Sequence, residues 1–186
     1  MNILQIIIAS VFVSNVVLSG YIGMDDVLAL SDNKGKILKI GLISCLMLTI
    51  STFLTRLISQ TLLEKYNLQY FELLAYIVII GLVVKVFSVL FDSTYGESPA
   101  YSKLNLVNTL FLGIALLASQ NNLSLIDTII YSIGTSLGVI LLSIMLEAIK
   151  YKYRFVNMPD HFKGRAIHVM ALGLIALAFY GFAGLV

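Results

Sequence analysis

Residues 37–58 read ILKIGLISCLMLTISTFLTRLI, and only Lys39 and Arg56 interrupt that run with charge. A helix needs about 20 mostly apolar residues to cross a hydrocarbon core of ~30 Å, so this stretch predicts a transmembrane helix. Working outward, the chain repeats the message. Toward the N-terminus, the loop Ser31-Asp32-Asn33-Lys34-Gly35-Lys36 separates it from an apolar run over Ile3 to Ser19, broken only by Gln5 and Asn15. Toward the C-terminus, Tyr70 to Phe91 and Leu125 to Ile149 predict further spans, and Ala166 to Val186 a last one. Leu104 to Ala118 is apolar but short for a full crossing.

Composition agrees. Of 186 residues, 59% are hydrophobic and 12% charged, against about a quarter charged in an ordinary soluble domain. A single soluble core of this size cannot bury such runs, which argues against a soluble enzyme. The expected fold is all-α and integral to the membrane: one polytopic domain over 1–186, built as a six-helix bundle. The net charge of +2 and the lack of a basic stripe interleaved with aromatics point away from nucleic acid. No tryptophan is present, so tyrosine is expected to supply the interfacial belt. Cys45 is the single cysteine, which excludes an intramolecular disulfide and any Cys-rich metal site within the chain. In its apolar run Cys45 reads as a small buried hydrophobe. Met1-Asn2-Ile3 lacks a positive leader, and no small-residue cleavage site clearly ends the first run, so that run reads as a retained helix.

Orientation follows from the basic residues, because short basic loops resist translocation. Lys34 and Lys36 follow the first span, and Lys103 follows the third. Lys150, Lys152, Arg154, Lys163 and Arg165 surround the fifth loop. The alternate loops are poorer, with Lys65 and nearby Arg56 in one and no Lys or Arg in the other. Odd loops are therefore expected in the cytoplasm and both termini outside.

Two regions depart from simple spans. After Ser19 the chain passes Gly20, Gly23, Asp25 and Asp26 before reaching a clear loop. Around Leu104 to Ala118 it carries Asn105, Asn108, Thr109 and Gly113. Short or glycine-interrupted segments in corresponding places of two halves point to broken, re-entrant helices and an inverted 3+3 repeat, here with halves of about 1–91 and 103–186. Asn15 and Gly20, and again Asn108 and Gly113, share an Asn-x4-Gly spacing at the two breaks.

Carboxylates at membrane depth often mark proton or ion paths. Asp25 and Asp26 are therefore candidates for a proton or Na⁺ site, though acidic residues also suit the start of a helix or simply face water. Asn15, Asn105, Asn108 and Thr109 could line a midplane cavity or bond neighbouring helices. Glu147 and Lys150 share a helix face and could pair. Lys85 reads as a snorkelling or paired cation. His168 has no second His or Cys at ligand spacing on its helix, so it reads as an interfacial or satisfied histidine rather than a metal ligand. No nucleophile–base pair, phosphate-cradling glycine loop or zinc pattern is evident, so neither catalytic nor metal-ligating residues are assigned.

The segment Ser14-Asn15-Val16-Val17-Leu18-Ser19-Gly20-Tyr21-Ile22-Gly23-Met24 resembles the first helix and re-entrant segment of the RnfA/RnfE and NqrD/NqrE membrane-subunit family. Val107 to Leu117 is similar to that family's second re-entrant segment. The closing stretch is closest, with Pro159, Phe162, Gly164, Ala166 and Ile167 matching, followed by Leu177-Ala178-Phe179-Tyr180-Gly181-Phe182-Ala183-Gly184. The resemblance covers essentially the whole chain. It implies a multi-pass subunit in a bacterial-type inner membrane, paired with a homologous subunit in a redox-driven, ion-translocating oxidoreductase, that is, electron transport coupled to ion transport. It also implies an iron–sulfur cluster between the paired subunits, with one cysteine from each re-entrant segment. Those places fall at Asp25 and Thr109 here. A carboxylate and a hydroxyl are poor ligands for a cluster that takes thiolates. The resemblance thus implies a divergent member, in which such a cluster would need ligands from partners. Two other readings stand beside it: a small transporter or ion-conducting protein that uses Asp25 and Asp26 on the same scaffold, and a purely structural assembly subunit.

Overall fold

A computed structural model describes residues 11, 16–31, 37–95, 109–153 and 164–181. Among these, every regular element is helical. In chain order they are α1 (Val16–Gly20), α2 (Met24–Ser31), α3 (Ile37–Ile58), α4 (Glu72–Tyr95), α5 (Thr109–Gln120), α6 (Leu125–Tyr153) and α7 (Arg165–Tyr180). A π-helical turn, Ser59–Leu63, extends α3, and a 3-10 turn, Gln69–Phe71, leads into α4. Ile37–Leu63, Glu72–Val89 and Leu125–Tyr153 are long and apolar enough to cross a membrane, while Thr109–Gln120 and Ala166–Tyr180 are shorter apolar helices. The chain is thus a helical integral membrane protein.

The bounds of α3 are those expected from the apolar run, and α6 starts at the expected Leu125 but continues to Tyr153. The expected first span, residues 3–19, meets the described residues only at 11 and 16–19. Residues 104–108 of the expected fourth segment also lie outside them, as do Asn15, Asn105 and Asn108.

The chain divides into two compact units, residues 1–41 with 134–186, and residues 42–133. The division falls inside α3, between Gly41 and Leu42, and inside α6, between Ile133 and Gly134.

In the first unit α1 packs against α7. Val16, Val17, Val27 and Leu30 are buried here, as are Leu142 and Leu146 of α6 and Ala171, Leu172, Ile175 and Phe179 of α7. Gly41 of α3 lies hard against α6, since a Cβ at that position would sit 2.6 Å from Ile140 Cγ1. At the far end, Lys150 Nζ donates to Ser31 Oγ at 2.6 Å, and Ser31 Oγ donates to the Leu28 carbonyl at 2.8 Å. Lys150 thereby bonds the last turn of α2, where a cation suits the exposed carbonyls. The spacing with Glu147 on its own helix does not point to that partner.

In the second unit α4 packs against α5. The buried face of α5 is Leu110, Phe111, Ile114, Ala115 and Ala118, one stripe at helical spacing, and Tyr76, Ile80, Val83 and Val84 are buried on α4. The inner face of α3 is different. Ser51, Thr52, Thr55, Arg56 and Ser59 are buried, while Leu42, Leu46 and Ile50 are exposed. Met47 and Leu48 are buried on the same helix, so polar and apolar side chains share its inner side. Lipid is as apolar as leucine, so a membrane bundle gains from small residues and hydrogen bonds at its seams. Thr52 Oγ1 donates to Ser132 Oγ across to α6 at 2.9 Å. Other hydroxyls return to their own helix: Thr55 to the Thr52 carbonyl at 2.9 Å and Thr128 to the Ser124 carbonyl at 2.8 Å. Such back-bonding keeps polar groups satisfied where no water can serve them.

Tyr66 and Tyr70 flank the turn before α4, and Tyr151 lies in the last turn of α6, all exposed. Cys45 is half-buried rather than buried, and its thiol is free.

Candidate functional site

The break after α1 is sharp. Tyr21 and Gly23 adopt positive φ, 56° and 79°, the left-handed region that glycine enters without strain and tyrosine only at a cost. α2 then restarts at once, with the Asp26 and Val27 amides bonded to the Gly23 carbonyl at 3.1 and 3.2 Å. Asp25 and Asp26 both stand in the first turn of α2, where the helix dipole favours acid. Asp25 is exposed and Asp26 half-buried. Thr109, the first residue of α5, is exposed as well. Asp25 belongs to the first unit and Thr109 to the second, each in the opening turn of its helix.

As donors the two residues offer a carboxylate and a hydroxyl, while iron–sulfur clusters take thiolates. They do not fit as cluster ligands. Among the described residues no group of three or more His, Cys, Asp or Glu side chains could hold a metal ion. His168 is half-buried near the start of α7.

A denser polar site lies in the second unit, and sequence reading misses it. It assembles where α3 ends and α5 turns into α6. The π turn, closed by the Glu64 amide on the Ser59 carbonyl at 2.9 Å, packs extra residues into one turn and keeps Ser59 buried. The chain then reverses through Asn67, at φ 55°. At the other turn, Asn122 has φ 49°, and the Leu123 amide bonds the Ala118 carbonyl at 3.1 Å. This is a helix C-cap with asparagine in the left-handed position. Ser124 and Asp127 then cap α6 reciprocally, with Ser124 Oγ donating to Asp127 Oδ2 at 2.7 Å and accepting from the Asp127 amide at 3.2 Å.

Between these turns sits Arg56, only 4% exposed. Its Nε donates to the Leu123 carbonyl at 2.9 Å, and its Nη1 reaches Glu64 Oε1 at 3.4 Å. Glu64 is nearly half exposed. Nearby, Glu72 at the first position of α4 collects three hydroxyls on one oxygen, Oε1. Tyr76 donates at 2.5 Å, Ser59 lies at 3.5 Å, and Ser119 of α5 makes a short bond. Tyr76 is fully buried. By sequence Arg56 is only a charge near a loop. The available signal was that arginine and a cluster of Ser and Thr recur on one face of α3, at 52, 55, 56 and 59.

A multi-pass helical membrane protein with a broken first helix and a short apolar helix opening at Thr109 is the class these features define. The family model described as "Rnf-Nqr subunit, membrane protein" matches residues 3–186, and the chain belongs to that family. It is 30% identical over 187 residues to a protein of Shewanella sediminis named as one of the subunits of the ion-translocating oxidoreductase complex, covering 98% of this chain and 97% of the relative. It is 28% identical over 189 residues to the protein of the same name from Syntrophotalea carbinolica, covering 100% of this chain and 98% of the relative.

Proposed function

We propose that this chain is a membrane subunit of an ion-translocating oxidoreductase complex of the Rnf/Nqr type. The observation that carries the reading is the full-length match: the family model runs from residue 3 to 186, and relatives named for that complex align over nearly their whole length. In this reading the chain pairs with a homologous subunit in the bacterial inner membrane, with six helices in an inverted repeat and both termini outside. The positive-φ break between α1 and α2 supports the first re-entrant segment, and the 12-residue α5 supports the second. The distribution of Lys and Arg supports the orientation. Because Asp25 and Thr109 carry oxygen rather than sulfur, any cluster at this place takes its thiolates from partners. Asp25, Asp26, Asn15 and Asn108 remain candidates for an ion or proton path.

The test is purification of the tagged chain from its native membrane, followed by subunit identification and iron and sulfide analysis. Flavin- or iron–sulfur-binding subunits should accompany it. Purification as a lone chain with solute or cation uptake of its own would overturn the reading in favour of a transporter. Orientation is checked separately in a Cys45→Ser background. Asn121→Cys should react with an impermeant maleimide from outside, and Lys152→Cys should react only after lysis.

A further inference from the structure

Lys85 is the one charge in the apolar run from Leu73 to Phe91. At a rise of about 1.5 Å per residue that run is about 28 Å long, enough to cover a hydrocarbon core. Lys85 lies about 9 Å inside the Phe91 end and about 18 Å from the Leu73 end. Its side chain, about 6 Å long on a four-carbon stem, falls short of the nearer boundary. Helical side chains also tilt toward the N-terminus of their own helix, which on α4 is the farther boundary. Distance and direction both work against snorkelling. Lys85 is exposed, and so are Leu74, Val78, Leu82, Val86 and Val89 around it, one stripe at helical spacing. The stripe faces away from Tyr76, Ile80, Val83 and Val84, which are buried. Among the described residues no side chain bonds or pairs with Lys85. Among them α4 is also the least enclosed of the three long spans: 22% of its apolar stretch is buried, against 39% for Ile37–Leu63 and 50% for α6.

We infer that this face of α4 docks a transmembrane helix of a partner subunit, and that the docked helix carries an aspartate or glutamate opposite Lys85. An ionisable side chain at membrane depth almost always faces protein or a water-filled cavity and pairs with an opposite charge. The described residues of this chain offer Lys85 no such partner, so a second chain supplies it. Lipid tails cover leucine and valine equally well, but they hold no counter-charge at this depth. The lysine therefore separates a protein occupant from bare bilayer. An apolar stripe in lipid has no hydrophobic drive to associate, so close packing and the ion pair carry the contact. This docking face rests on the reading of the chain as a subunit of a complex, and it specifies which helix meets a neighbour and what that neighbour carries.

The experiment is photo-crosslinking in native membranes, with benzoylphenylalanine in place of Val78 or Leu82 of the full-length chain. An adduct with another subunit is expected, at a peptide from an apolar segment that contains Asp or Glu. Lys85→Met keeps most of the stem and removes the charge. It should lower the yield of that adduct about tenfold or more, as loss of one member of a desolvated charge pair does. Lys85→Arg should retain the adduct. Thermal unfolding of the purified full-length chain in lipid nanodiscs should be no lower in Lys85→Met than in the unchanged protein, because the charge has no partner within the chain. A lower midpoint would give Lys85 a role in the fold instead and overturn the proposal. Adducts only with lipid, only with this chain, or with peptides free of Asp and Glu would overturn it too, as would a yield that Lys85→Met leaves unchanged. If the acid-bearing helix belongs to a complex without redox subunits, the proposed function fails and the docking face stands.

Discussion

The α1–α2 break and the Arg56–Glu72 cluster treat charge in opposite ways. At the break, Asp25 is exposed and, with Asp26, sits in the opening turn of a short helix, favoured by backbone dipoles. In the cluster, a guanidinium is buried and a carboxylate half-buried, each held by named partners from other elements. The break is local: two left-handed residues within three positions create it. The cluster is tertiary, drawing on α3, α4, α5 and the turn before α6. Acidic residues in an apolar sequence are conspicuous, yet the more heavily bonded site here is built from residues that look ordinary one at a time.

The contrast can be broken by substitution, with stability read by thermal unfolding in detergent. The largest effect is expected for Arg56→Met, which keeps volume but leaves the Leu123 carbonyl without its Nε donor; a loss of about 2–3 kcal/mol should follow. Gly41→Ala should cost about 1–2 kcal/mol, because the new methyl meets Ile140 Cγ1 in a packed seam. Thr52→Val removes the bond to Ser132. A double-mutant cycle with Ser132→Ala should give a coupling of about 0.6 kcal/mol, the scale of interhelical hydrogen bonds in membranes. Glu64→Gln and Asp25→Asn should each shift stability by no more than about 0.5 kcal/mol, since one is a half-exposed pair member and the other an exposed helix-start acid. If Asp25→Asn proved more damaging than Arg56→Met, the contrast between a surface-accessible break and a buried cluster would be wrong.

Much of the fold was legible in advance. The α3 bounds follow from a run that only lipid can bury. The Gly23 break also followed from local sequence. Gly41 did not stand out, because the need for glycine there arises from Ile140, about a hundred residues away in the chain. Glu72 was likewise silent, for its three hydroxyl partners come from positions 59, 76 and 119. Cys45 shows the limit of a residue-type average: it is half-buried, beside the exposed Leu46 and Leu42 on α3.

By itself the sequence determined that this protein lives in a bilayer, where α3 begins and ends, and that sulfur is missing at two places where related subunits are expected to hold it. Those properties depend on hydropathy, local backbone preference and residue chemistry, all of which act over a few turns of chain. Only the tertiary structure decided that Arg56 faces inward and that Glu72 gathers hydroxyls from three elements. In a membrane every helix is apolar on average, so periodicity says little about which face is buried, and the answer comes from whichever distant polar group completes the hydrogen bond.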